Sequence, residues 1–125
     1  MNKIIYSQEL SLNKLLTDIT FSSNTFTTGA IDTHHYDNYK ISVVSSLPIT
    51  INLKFHNKHF RSVGTAFITD TRTLVANTDV YNVDLIKGEN VILEINNNGL
   101  SIGATDFIKL NVFLSTHASN INLVW

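Results

Sequence analysis

Histidine is the residue type best suited to catalysis or metal binding in this chain, and four of the five histidines form two pairs. Imidazole binds metal ions and exchanges protons near neutral pH. His34 and His35 are adjacent, so a strand would point them to opposite faces, and we interpret them as part of an exposed turn. His56 and His59 flank Asn57-Lys58, a predicted hairpin turn that would place their β-carbons roughly 5 Å apart. No cysteine or carboxylate lies beside this second pair in the sequence, so we predict no metal site.

Carboxylates are the second group that could do chemistry. The ten acidic residues are scattered, and no local motif pairs two of them as acid–base catalysis requires. Asp32 with Asp37, or Asp70 with Asp79, could share a calcium ion, but neither pair has the spacing of a dedicated calcium loop. The chain has no cysteine, no G-x-S-x-G motif and no glycine-rich phosphate loop. We therefore predict that the protein is not an enzyme and uses no cofactor.

Aromatic side chains are the remaining candidates, because sugar-binding surfaces often stack aromatic rings on the ligand. Tyr36 and Tyr39, with His34 and His35 nearby, form an aromatic-rich segment at the entrance to a predicted strand. These four residues are the candidate contact site for a ligand or partner. A position at the edge of the core is the alternative for Tyr36.

The elements that must position these residues are strands, because apolar and polar residues alternate along most of the chain. The clearest alternation runs through residues 49–55, directly after Pro48. Further strands are predicted at 39–43, 91–95, 108–114 and 121–125, and less regular ones at 3–12, 19–26, 63–69 and 73–81. Loops are predicted at 87–90 and at Asn98-Gly99, and Trp125 is predicted to be buried. About eight or nine short strands indicate an all-β protein, a single antiparallel β-sandwich or jelly roll over residues 1–125.

Charge and composition narrow the range of partners. The formal net charge is -1, so nothing attracts the chain to nucleic acid or anionic lipid. No segment has the length and hydrophobicity of a signal peptide or a membrane span. Charged residues make up only 15% of the chain, and a surface rich in Asn and Thr is cheaper to desolvate in a permanent protein contact than one rich in Lys and Glu.

Two segments carry a family resemblance. The first runs from Gly29 through Asp32-Thr33 and Tyr36 into the strand after Tyr39, and then through Pro48-Ile-Thr-Ile to Leu53. The second has Lys87-Gly88 before the strand at 91–95 and then Asn97-Asn98-Gly99. Together they resemble small β-sandwich or jelly-roll modules of phage virions.

The resemblance implies a non-enzymatic virion component. Such a component would be an auxiliary or decoration capsid protein, or a head-fibre or tail attachment module, assembled in the host cytoplasm as a homo-oligomer with other virion proteins. No catalytic residues come with the resemblance. The alternative is a carbohydrate- or receptor-binding β-sandwich module that uses Tyr36, Tyr39 and the neighbouring histidines to bind a glycan.

Overall fold

The computed structural model describes residues 7–56 and 68–116, which form nine β-strands and one 3-10 turn. The 3-10 turn covers Leu16–Asp18. The strands are β1 (Ser7–Leu15), β2 (Thr25–Thr27), β3 (Ile31–Asp32), β4 (Asn38–Ser45), β5 (Thr50–His56), β6 (Ile68–Thr73), β7 (Val80–Leu85), β8 (Asn90–Asn96) and β9 (Phe107–Ser115).

The strands form two antiparallel sheets. The four-stranded sheet has the order β1-β9-β4-β7, and the five-stranded sheet has the order β2-β8-β5-β6, with β3 also paired to β8. Because β2 and β3 both pair with β8, they act as one interrupted strand. Apart from this pair, each strand lies in the opposite sheet from the strand before it, except that β5 and β6 share a sheet. This is the strand order of a jelly roll. The prediction of an all-β sandwich or jelly roll is confirmed.

The core lies between the inner faces of the two sheets. Alternate residues of β4, β5, β8 and β9 are buried, as period-two patterning requires. Buried apolar residues also meet across neighbouring strands, as Ile51 meets Ile95 and Val43 meets Leu110. The burial that holds the sandwich together is therefore supplied by inward-facing residues.

The four strands predicted from clean alternation, 39–43, 49–55, 91–95 and 108–114, are confirmed as parts of β4, β5, β8 and β9. The strand predicted at 19–26 is wrong for most of its length, because Ser23 and Asn24 take positive φ angles of 51° and 67° and turn the chain before β2. The strand predicted at 73–81 is also wrong. Residues 74–79 form a connection in which Leu74 N–H donates to the Ile49 carbonyl, and β7 begins only at Val80.

The Asn98-Gly99 turn is confirmed, with φ angles of 57° and 71°. Side chains stabilise it, since Asn98 N–H donates to Asn96 Oδ1 at 2.8 Å and Gly99 N–H donates to Asn97 Oδ1 at 2.9 Å. It does not lead straight into a hairpin partner, because residues 100–106 carry the chain to the other sheet. The predicted Asn57-Lys58 turn, His59 and the C-terminal strand with Trp125 lie outside the described residues.

Candidate functional site

The two adjacent histidines lie on the turn between β3 and β4. Both side chains are exposed, and their rings meet edge to face with centroids 5.2 Å apart. Asp32 shapes the turn, because its Oδ1 accepts a hydrogen bond of 2.9 Å from the His34 N–H. In the part of the chain that the structure describes, no three His, Asp or Glu side chains converge as a metal site would require.

The two tyrosines of the predicted contact site are not exposed in the same way. Tyr36 is half-buried against the core, and its hydroxyl donates to Gln8 Oε1 at 3.2 Å. Tyr39 is fully buried, because the alternation of β4 points it inward with Ile41 and Val43. The four residues therefore do not form one aromatic platform, and an exposed ring at Tyr39 is contradicted by its burial.

Tyr39 instead belongs to a polar cluster between the two sheets, made by Tyr39, Asp70, Asp84 and Lys87. Its hydroxyl donates to Asp70 Oδ2 at 2.5 Å, and Lys87 Nζ lies 3.0 Å from the same oxygen and 2.9 Å from Asp84 Oδ2. Burial and the hydrogen bond to Asp70 raise the pKa of the tyrosine hydroxyl. The hydrogen bond from Lys87 lowers the pKa of the Asp84 carboxyl.

Tyr39, Asp84 and Lys87 each keep one charge state near neutral pH. Burial lowers the pKa of Lys87, but its hydrogen bonds to Asp84 and Asp70 outweigh burial and raise that pKa. The perturbed groups thus titrate away from pH 7, whereas a general acid or base works best with a pKa near the operating pH.

Asp70 and Asp84 point inward from β6 and β7, which end their sheets, and inward charges protect such edges from pairing with another strand. The cluster joins the two sheets through a hydrogen bond and two ion pairs.

The outer face of the four-stranded sheet is unusually apolar along β7. Tyr81, Val83 and Leu85 are 66%, 50% and 61% exposed, while Asn82 and Asp84 alternate with them. Phe113 of β9 shares the outer surface with Val83, because Lys40 of β4 lies between them in register. We call Tyr81, Val83, Leu85 and Phe113 the apolar face. Sequence alternation marks these β7 residues as one side of a strand, but an apolar side is ordinarily assigned to the core.

The outer face of the five-stranded sheet is polar and internally bonded. Lys54 Nζ and Asn52 Nδ2 each donate to one oxygen of Glu94, at 2.7 and 2.9 Å, and Thr71 donates to Asn52 Oδ1 at 2.8 Å. Burial raises the pKa of Glu94, but the hydrogen bonds from Lys54 and Asn52 outweigh burial and lower it. Glu94 is therefore ionised at neutral pH.

A cleft of about 190 Å³ lies beside this network. It is lined by Thr27, Thr28, Lys54, His56, Ile92 and Glu94. The end of β2 and the connection after it supply the threonines, β5 supplies Lys54 and His56, and β8 supplies the other two. Sequence patterns could not indicate it, because its walls come from three strands that are distant along the chain.

Comparison with known proteins finds no relative of this chain. No family model matches the chain, and neither a curated protein nor a solved structure is significantly similar to it. Within residues 7–56 and 68–116, no helix has the length and hydrophobicity to cross a membrane. The fold and its surfaces therefore carry the functional argument.

Proposed function

We propose that this protein is a non-enzymatic structural component of a phage particle, a decoration protein or attachment module that assembles by packing its apolar face on a second copy of itself. The strand order supports this class, because jelly rolls are the fold of many viral capsid domains. The same fold also serves lectins and cupins, so the fold alone does not decide the function.

The observation that carries the proposal is the exposed stripe on β7. Tyr81, Val83 and Leu85 place three large apolar side chains in solvent on one strand, although the core between the sheets is complete without them. Contiguous apolar surface of this kind marks sites of protein contact. Phe113 is a further apolar side chain on the same surface, separated from Val83 by Lys40.

Charges on this outer surface favour a second copy as the partner. Across the sheet, one row runs Glu9, Phe113, Lys40 and Val83, so opposite charges flank the phenylalanine. A two-fold axis along β9 would place Phe113 on Phe113 and Glu9 of each copy over Lys40 of the other. In that arrangement β7 lies one strand beyond β1 of the partner copy, so Tyr81, Val83 and Leu85 would pack against the edge at β1. The surface is thus complementary to itself, as an isologous contact requires.

Charge reversal tests this arrangement by light scattering after size-exclusion chromatography. We expect the wild type to be oligomeric and Lys40→Glu to be shifted toward monomer, because Glu9 would then face a second carboxylate. The double variant Glu9→Lys/Lys40→Glu should restore the oligomer. Lys14→Glu is the matched control, because Lys14 is exposed on the other face of β1.

A wild type that is monomeric at every concentration, or a double swap that fails to restore association while remaining folded, would overturn the contact. The particle assignment has its own test. Mass spectrometry of purified phage particles should detect the wild type at a stoichiometric level and find the Lys40→Glu variant reduced. Absence of the wild-type chain from particles that contain their capsid protein would contradict the assignment.

A further inference from the structure

We propose that the cleft on the five-stranded sheet is a binding site for a single uncharged sugar unit. The inference does not rest on the proposed assembly, because the cleft and the apolar face lie on opposite sides of the sandwich. The cleft is a different site from the predicted contact site, because none of His34, His35, Tyr36 and Tyr39 lines it.

The size of the cleft sets the size of the ligand. The cleft has a volume of about 190 Å³. Sites for drug-sized ligands are usually larger, at about 300–1,000 Å³. The cleft therefore suits one six-membered ring, either alone or as one unit of a longer chain.

The floor of the cleft is amphipathic in a way that fits a sugar ring. Ile92 is an apolar residue in the outward row of β8, where Asn90, Glu94 and Asn96 are polar, and it lies opposite Lys54 in register. A pyranose has an apolar ring face and a rim of hydroxyls. Ile92 can contact the ring face while the polar side chains beside it meet the hydroxyls.

The polar groups are placed to bind a diol. Glu94 offers an acceptor and Lys54 a donor, and the two are held 2.7 Å apart. Asn52 donates to the carboxylate from outside the cleft and accepts in turn from Thr71. Because the carboxylate is already held in place, little side-chain entropy is lost on binding. Adjacent sugar hydroxyls both donate and accept, which matches this donor–acceptor pair. The Thr27 hydroxyl, exposed on the opposite wall, adds one more polar group.

Charge argues against an anionic ligand. The positive charge of Lys54 is neutralised by Glu94, whose lowered pKa keeps it ionised at neutral pH. A phosphate or carboxylate in the cleft would meet the carboxylate as well as the ammonium group. An uncharged ligand meets no such repulsion.

The test is an amide shift titration of the wild-type protein by nuclear magnetic resonance with methyl glucopyranoside, methyl galactopyranoside and N-acetylglucosamine. We expect at least one sugar to shift the amides of Thr28, Ile92 and Glu94 and to leave those of Val83 and Phe113 unchanged. In Glu94→Gln, the apparent affinity should fall by about tenfold or more, since a hydrogen bond to a charged group is lost. Asp79→Asn is the matched control, because Asp79 is exposed on the connection between β6 and β7.

Thr27→Val provides a second variant that keeps the shape of the side chain, and it should weaken binding several-fold with an unchanged spectrum elsewhere. Inorganic phosphate and acetate form the competing arm. If they shift the cleft amides and the sugars do not, the site is an anion site and the proposal is overturned. The proposal is equally overturned if no sugar shifts these amides, or if both variants bind the sugar as tightly as the wild type.

Discussion

The two outer faces of this sandwich are built on the same alternating strands and carry opposite chemistry. On the five-stranded sheet, Thr71, Asn52, Glu94 and Lys54 bond to one another across three strands. On the four-stranded sheet, the outward residues of β7 are large, apolar and exposed. A strand pattern thus determines which residues share a face, but the surroundings in the fold determine whether that face is core, solvent or interface.

The contrast also separates stability from function. Inward residues form the core, and the polar outer face meets its own hydrogen-bonding needs. In a single copy, the apolar face neither contributes to the core nor forms a hydrogen-bonded network of its own. Its exposed side chains are therefore the surface at which we propose that a partner binds.

The largest expected effect compares an inward aromatic residue with an outward one. Phe55 is fully buried beside Tyr39, with ring centroids 5.8 Å apart, so Phe55→Ala should lower the free energy of unfolding by about 3–5 kcal/mol. Tyr81→Ala should change it by less than about 0.5 kcal/mol, because Tyr81 is mostly exposed. Urea unfolding in a Lys40→Glu background, which removes the proposed association, measures both. A loss at Tyr81 equal to that at Phe55 would show that the apolar face supports the fold itself.

The fold was predictable from the sequence where alternation was clean and each strand had one buried side. Residues 49–55 and 108–114 are of this kind, since their inward residues are apolar and their outward residues are largely polar. The prediction failed at 73–81, because Leu74, which is buried, lies in a connection and mimics a strand residue. Hydrophobicity reports burial, and a buried connection cannot be distinguished from a strand by burial alone.

The candidate site was less predictable for the same physical reason. Tyr39 was predicted as a contact because of its neighbours in sequence, but its place in the alternation of β4 determines its burial. The β7 stripe was missed because the predicted strand ended at residue 81, so Val83 and Leu85 were not placed on a strand face. The Lys54–Glu94 pair is formed by residues 40 positions apart, which are brought together only by the pairing of β5 with β8.

An intermediate effect is expected at the polar cluster of Tyr39, Asp70, Asp84 and Lys87, which lies between the two sheets. Asp70 accepts from both the Tyr39 hydroxyl and Lys87. Asp70→Ala should destabilise the protein by about 1–3 kcal/mol, because the buried Tyr39 hydroxyl loses its acceptor and Lys87 keeps only Asp84 as a carboxylate partner. Adding Tyr39→Phe should cost less than the sum of the two single changes, because the hydroxyl has already lost its partner. Asp79→Ala, at an exposed carboxylate, is the control in thermal and urea unfolding. Strict additivity of Asp70→Ala and Tyr39→Phe would contradict the coupling.

The smallest expected effect is a pH dependence at the polar outer face. The pKa of Glu94 lies below its ordinary value of 4.5 in the folded protein, because its bonds to Lys54 and Asn52 outweigh burial. The folded state therefore binds fewer protons at Glu94 than the unfolded state, and this stabilisation is complete above the ordinary pKa and is lost as the pH falls through the folded one. Since Lys54 is about one-third exposed, the contribution should be below about 1 kcal/mol.

Glutamine at position 94 cannot titrate, so urea unfolding of the wild type and Glu94→Gln should differ at neutral pH and converge as the solution is acidified. Asp84, whose pKa is also lowered, is common to both proteins and cancels in the difference. A gap between the two proteins that stays constant or widens toward acid pH would show that Glu94 gains nothing from its bonds to Lys54 and Asn52.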